Sequence, residues 1–181
     1  WSSDVCSSDL KDRVIVLNGV SKAYSMTGWR IGFAAGPQEI IAAMAKLQSQ
    51  STSNPTSISQ VAAEAALNGD QNCIKPMLAA FKQRHTFVLD ALNNIDGIKC
   101  LPTQGAFYSF ADASEAIQKL FEQKKISEPT DLAFSEYLLD KVGVAIVPGS
   151  AFGAEGYFRI SFATSIENLK DALSRIAKAL S

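Results

Sequence analysis

The stretch "NGVSKAYSMTGWRIGF", residues 18–33, decides how this sequence is read. It carries Lys22 and Arg30, eight positions apart, among small, hydroxylated and glycine residues. No aspartate or glutamate lies inside it to pair with either cation. Apolar segments flank it, "VIVL" (residues 14–17) before and "IGFAA" (residues 31–35) after. Short apolar runs rich in β-branched residues suit strands buried on both faces. Both cations are therefore expected beside a buried sheet and not on a solvated helix.

A lysine in such a place is poorly solvated and gives up its proton more readily than an exposed one. A neutral amine is what condenses with an aldehyde. An arginine at the start of the next strand offers a planar fork suited to a phosphate. Amine and fork together describe a cradle for pyridoxal phosphate. The same two residues also fit an ordinary exposed loop lysine and an arginine paired with a distant acid. Residue chemistry alone does not separate these readings.

Outward from the stretch, sheet and helix patterns alternate. Gly36-Pro37 opens a helix with proline at its first position, its apolar face formed by Ile40, Ile41, Met44 and Leu47. A loop at 51–57 precedes an alanine-rich helix from about 58 to 69. A long helix, about 71–94, carries Leu78, Phe81, His85, Val88, Leu92 and Ile95 at spacings of three and four, a single apolar stripe. Strands follow near 98–101 and 106–110, helices near 114–123 and 130–140, and strands at 144–147 and 157–163. The last helix opens with a capping box of Thr164 and Glu167. Its apolar face is Ile166, Leu169, Leu173, Ile176 and Leu180. The pattern is α/β throughout. Two lobes are expected: residues 11–82, with too few strands to close a core alone, and residues 83–181, with four strands and three helices.

Composition narrows the function classes. With 47% hydrophobic residues in 181, the chain buries a core and is not disordered. A formal net charge of −1 leaves no basic footprint for nucleic acid or an anionic membrane. No apolar run approaches the ~20 residues that cross a bilayer. Cys6, Cys73 and Cys100 are widely spaced and read as reduced thiols of a cytosolic protein, with no zinc spacing and no motif for any other metal. The opening "WSSDVCSSDL", residues 1–10, is aperiodic and lacks the basic start and apolar core of a signal peptide. It reads as a non-native tract joined at about Lys11, with the true upstream sequence missing.

"GVSKAYSMTGWRIG" resembles the pyridoxal-phosphate attachment signature of class I, fold-type I aminotransferases: Gly19, Ser21, Lys22, Gly28, Arg30 and Gly32 fall where that pattern wants them. The longer run to Pro37 is similar to the bacterial aspartate aminotransferase subgroup. The likeness continues through "QSQSTSNPTSISQ", "PTQGAFYSF", "GVAIVPGSAFG" and "FRISFATSIENL", covering residues 11–181. It implies the C-terminal part of the fold-type I architecture: the end of the large mixed-sheet domain over 11–82 and the small α/β domain over 83–181.

The resemblance also implies roles. Lys22 matches the lysine that holds pyridoxal 5'-phosphate as an internal aldimine and then serves as the general base at the substrate α-carbon. Arg30 matches the phosphate arginine. Many relatives carry a phosphate-binding serine where this chain has Gly19, so the cradle leans on Ser21 or the backbone. Arg159 in "FRISFAT" matches the arginine that grips the substrate α-carboxylate with two prongs; by itself it reads rather as an edge-strand cation, and only the family register reverses that. Asn54, with Ser53 and Pro55, matches a loop that crosses the dimer interface toward the neighbouring site, though as bare sequence it is a turn. Phe107 resembles a residue lining the substrate pocket, where an aromatic in a strand is otherwise plain core. Trp29 reads as packing, and so does His85 on its apolar stripe.

The implied activity is transamination between an amino acid, aspartate, and a 2-oxo acid, 2-oxoglutarate, by a cytoplasmic homodimer. Prephenate, aromatic or alanine preference stays open, because the family's side-chain-selecting and ring-binding groups lie upstream of Lys22. The 181 residues themselves are expected to be inactive for that reason. The alternative is the pyridoxal-phosphate-binding effector domain of a transcriptional regulator, which a winged-helix segment upstream would identify.

Overall fold

The computed structural model describes residues 10–181, so the opening tract, Leu10 apart, lies outside the described residues. The chain divides into two compact units, one ending at Pro76 and the other running from Met77 to Ser181.

In the first unit, β1 (Val16–Gly19) and β2 (Gly32–Ala35) form an antiparallel hairpin, with Gly19 opposite Gly32. Helices α1 (Gln38–Ser51) and α2 (Ser57–Asn68) follow, then a short 3-10 turn at Gln71–Cys73. Val20, Ser59 and Ala63 are buried, and Val20 and Ala63 line one pocket between the hairpin and α2. The expectation of strands buried on both faces fails: Leu17 is 68% exposed. Among the described residues β1 and β2 pair only with each other, and a two-stranded hairpin has no second layer to cover both faces. Pro37 is also one place off its expected position. It caps α1 with ψ 133, and its carbonyl accepts the N–H groups of Ile40 and Ile41.

The second unit is built on a four-stranded antiparallel sheet of order β3-β4-β6-β5: β3 (Lys99–Cys100), β4 (Tyr108–Asp112), β5 (Val147–Pro148) and β6 (Tyr157–Ser161). Helices α3 (Ile74–Asn93), α4 (Ser114–Glu122), α5 (Asp131–Val142) and α6 (Ile166–Leu180) complete the described elements. Val88 and Leu92 of α3, Phe134 and Leu138 of α5, and Leu169, Leu173 and Ile176 of α6 bury one continuous core with Phe158 and Ile160 of β6. The stripe read from α3 is inward at Val88 and Leu92, half-buried at Phe81 and His85, and exposed at Leu78.

Three boundaries differ from the periodicity reading, each through backbone chemistry. Residues 144–146 are not strand. Gly143 takes φ 66, and the N–H of Val144 bonds the carbonyl of Leu138, which closes α5 in a left-handed cap. Ala106 has φ 61, so β4 begins only at Tyr108. The cap of α6 is Ser165 and not Thr164: the Ser165 side chain accepts the N–H of Asn168, and Asn168 Nδ2 donates back to Thr164 Oγ1 at 3.1 Å.

Strand alternation sorts β4 and β6 into two faces. Ser109, Ala111, Phe158 and Ile160 are buried on the core side. Tyr108, Phe110, Tyr157 and Arg159 alternate with them and are only half-buried, on the other side.

Candidate functional site

Within the first unit, Ser21, Lys22 and Arg30 lie in the loop that joins β1 to β2, so its two ends are pinned together by the Gly19–Gly32 pair. A Cβ on Gly19 would stand 3.2 Å from the Ile31 carbonyl oxygen, and one on Gly32 would stand 3.1 Å from that of Asn18. The strands close this tightly because both positions lack side chains. A serine at position 19 would need the Ile31 and Gly32 backbone to give by a few tenths of an ångström. Around Lys22 the chain turns sharply: the N–H of Ser25 donates to the Lys22 carbonyl at 3.2 Å. Tyr24 Oη donates to Gln71 Oε1 at 2.7 Å, while Gln71 Nε2 donates to the carbonyls of Ala66 and Gly69. The loop is thereby tied to the end of α2.

Arg30 is not on the strand. It follows the 3-10 turn Thr27–Trp29 in left-handed conformation, φ 52 and ψ 50, and Nη1 donates to the Thr27 carbonyl at 3.0 Å. A non-glycine residue in that region costs on the order of 1–3 kcal/mol and is held only where surroundings demand it. Lys22 and Arg30 are both exposed, contrary to the expected burial, since no strand or layer covers the hairpin loop among the described residues. Trp29, expected to pack, is partly exposed and lies along α2 beside Ile58, Val61 and Ala65. Asn54 is exposed in the α1–α2 loop after Ser53, whose φ is 67, and its N–H bonds the Thr52 carbonyl.

In the second unit, Arg159 is on β6, an interior strand between β4 and β5, so it is no edge cation. It faces away from the core, opposite Phe110 on one side and Val147 on the other. Its guanidinium carbon lies 4.3 Å from the centroid of the Tyr108 ring and 4.5 Å from that of Phe152. Among the described residues no carboxylate pairs with it. The Phe107 ring centroid lies 6.3 Å from that of Phe81 of α3 and 4.4 Å from that of Tyr108. His85 has the packing role expected of it: half-buried, 5.5 Å from Phe162, with Nε2 accepting the N–H of Thr103 at 3.2 Å.

The turn that carries Phe152 is held from outside its own segment. Residues Gly149–Phe152 form a 3-10 turn, and the carboxylate of buried Asp131 accepts the N–H of Ser150 at 2.6 Å. A Cβ on Gly149 would press into the Ala154 carbonyl and Tyr157 Cβ, so the turn packs too closely for any side chain there.

Compared with known proteins, residues 3–176 match the family described as aminotransferase class I and II. The chain belongs to that family. It is 61% identical to an aspartate/prephenate aminotransferase of Nitrosomonas europaea over 173 residues, 96% of this chain and 44% of the relative. With an aspartate aminotransferase of Rhizobium meliloti it shares 53% identity over 171 residues, 94% of this chain and 41% of that one. A crystal structure of the Rhizobium meliloti aspartate aminotransferase superposes with a TM-score of 0.87 at 49% identity, covering 94% and 42% of the two chains. An aromatic aminotransferase from Pyrococcus horikoshii superposes with a TM-score of 0.84 at 37% identity, covering 94% and 43%. The chain thus spans less than half the length of these aminotransferase relatives. Its α/β fold is the C-terminal part of the fold-type I architecture of pyridoxal-phosphate enzymes.

The cofactor of this family is pyridoxal 5'-phosphate, and the donor set fits it. An amine, a hydroxyl and a guanidinium project from one hairpin loop, from Lys22, Ser21 and Arg30, and no acidic residue in 18–33 competes for either cation. Sequence reading missed Tyr108, Phe152, Asp131 and the Tyr24–Gln71 tie. For Tyr108 the signal was present: in "YSFAD" the first, third and fifth residues share a face. Nothing local in the sequence joins Asp131 to Ser150.

Proposed function

We propose that a full-length protein containing this chain is a pyridoxal 5'-phosphate-dependent aminotransferase that moves the amino group of aspartate to 2-oxoglutarate. The observation that carries this is the 61% identity to the Nitrosomonas europaea relative across nearly the whole chain. That relative's name includes prephenate, which supports prephenate as a second amino acceptor.

When bound, the cofactor supplies an aldehyde for the amine and an electron sink for the α-carbon. This chain supplies the rest from its own groups. Lys22 Nζ anchors the cofactor and, once released, takes and returns the proton at the substrate α-carbon. The Arg30 fork and the Ser21 hydroxyl receive the phosphate. Arg159 takes the α-carboxylate by its paired N–H groups. Phe107 lines the pocket, and Asn54 reaches it from the neighbouring protomer of a homodimer. The cytoplasm is the compartment this reading assigns. It is supported by two unbridged cysteines, Cys73 and Cys100, among the described residues. No described helix is long and apolar enough to cross a membrane.

The test is borohydride reduction of the full-length protein with its cofactor, followed by peptide mapping. The label is expected on Lys22, and Lys22→Ala is expected to abolish transamination of aspartate with 2-oxoglutarate. A label on Lys11, Lys46 or any other lysine would overturn the assignment.

A further inference from the structure

Phe152 presents an unusual combination. It is 50% exposed, yet the turn beneath it is fastened by a buried carboxylate and by a glycine that admits no side chain. A large ring held in place without being buried in the core is held for a neighbour. Its neighbours are Arg159, 4.5 Å from the ring centroid, and Phe110, whose ring meets it edge-on at 6.1 Å. Tyr108 reaches the same guanidinium from β4, at 4.3 Å.

We propose that Tyr108 and Phe152 are positioning residues that hold the Arg159 fork ready for a substrate carboxylate, with Asp131 setting the turn that delivers Phe152. The inference rests on the reading of Arg159 as the carboxylate arginine and extends it to residues that lie outside the motif. The faces of a guanidinium are weakly hydrated, so stacking on rings costs little, while the in-plane N–H groups stay able to donate. An unrestrained arginine loses rotamer freedom when a ligand fixes it. Rings that fix it beforehand remove that loss from the binding step. Among the described residues no carboxylate occupies the fork, so the rings orient it without blocking it.

The test is steady-state kinetics of the full-length enzyme on aspartate and on an amino acid without a side-chain carboxylate. Phe152→Leu keeps apolar bulk but removes the π face. It is expected to raise KM for both substrates by the same factor, about fivefold to thirtyfold, with kcat nearly unchanged. Tyr108→Leu should behave alike, whereas Phe152→Tyr and Tyr108→Phe keep the ring and should restore most of the affinity. In an Arg159→Ala background the Phe152→Leu change should alter KM by less than about twofold, because the group it acts through is gone. If Phe152→Leu matches the parent enzyme, or its loss is equally large without Arg159, the ring does not act through the fork and the proposal is overturned. If Arg159→Ala leaves KM for both amino acids unchanged, Arg159 is not the carboxylate arginine. That outcome sinks the reading beneath the proposal, and the proposal with it.

Discussion

The carboxylate of Asp131, in the first turn of α5, accepts the backbone N–H of Ser150 at 2.6 Å, across nineteen residues of chain. Asp131 is 4% exposed, so the bond forms in a desolvated place where an unmade partner is costly. It also puts a negative group at the N-terminal end of α5, where the helix dipole favours it. Asp131→Ala is expected to destabilise the second unit by about 1–3 kcal/mol, with the Ser150 N–H left unsatisfied. Asp131→Asn keeps a carbonyl oxygen as acceptor and should lose less. Hydrogen exchange at the Ser150 amide and along β6 reads the effect; unchanged protection in Asp131→Ala would show that the bond contributes nothing.

Arg159→Lys is a second case where charge is kept and geometry is not. A lysine ammonium is a point charge and cannot present two parallel N–H groups to a carboxylate. In the full-length enzyme this change should lower kcat/KM by a factor equivalent to on the order of 2–5 kcal/mol. The loss should be the same for every amino acid substrate, since all share the α-carboxylate. A loss confined to acidic substrates would place Arg159 at the side-chain pocket instead.

The two described cysteines should differ in reactivity. Cys73 is exposed, while Cys100 is buried on β3. Burial pushes the Cys100 thiol up from its ordinary value. The thiolate is the reactive form, so Cys100 is doubly protected. Maleimide labelling with peptide mapping should find Cys73 modified quickly and Cys100 only as the second unit unfolds. Equal rates at neutral pH would contradict the burial.

Asp96 and Lys119 give a pH dependence of defined sign. Lys119 Nζ meets Asp96 at 2.6 Å and Glu115 at 3.0 Å. The Lys119 hydrogen bond and charge hold the Asp96 carboxyl below its ordinary 3.8, and its acidic partners hold Lys119 above its ordinary 10.5. A lowered carboxyl contributes stability above its unfolded value and loses it as pH falls through the folded one. A raised amine contributes below its unfolded value and loses it as pH rises through the folded one. The pair is therefore complete across neutral pH and fails at both extremes. Both groups are solvated, so the contribution is small and screened by salt. Carboxyl NMR titration should return Asp96 to the ordinary range in Lys119→Met.

The last helix shows how far periodicity carries. Spacing alone puts Leu169, Leu173 and Ile176 on its buried face, and all three are buried. Its cap lies one residue beyond the Thr164 of the capping-box pattern, because threonine and serine both serve as acceptors and only the backbone torsions choose between them. The start of the 144–147 run is not strand for a similar reason. Val144 looks like the start of a strand, but its N–H is taken by the closing turn of α5.

What this sequence determined by itself is what depends on neighbours a few positions away: the alternation of strands and helices, the apolar stripes, and the lysine-to-arginine spacing that marks the family. The tertiary structure alone decided what depends on distant chain meeting: that Arg159 lies on an interior strand, that Phe152 and Tyr108 close on its guanidinium, and that Asp131 holds the turn carrying Phe152. It also decided that the hairpin bearing Lys22 and Arg30 is exposed in this chain, since burial depends on the layers packed against an element and not on its own apolar residues. Sequence spacing specifies a face of a helix or strand, but which face meets which is settled by sheet order and register, and those are formed by contacts between residues far apart along the chain.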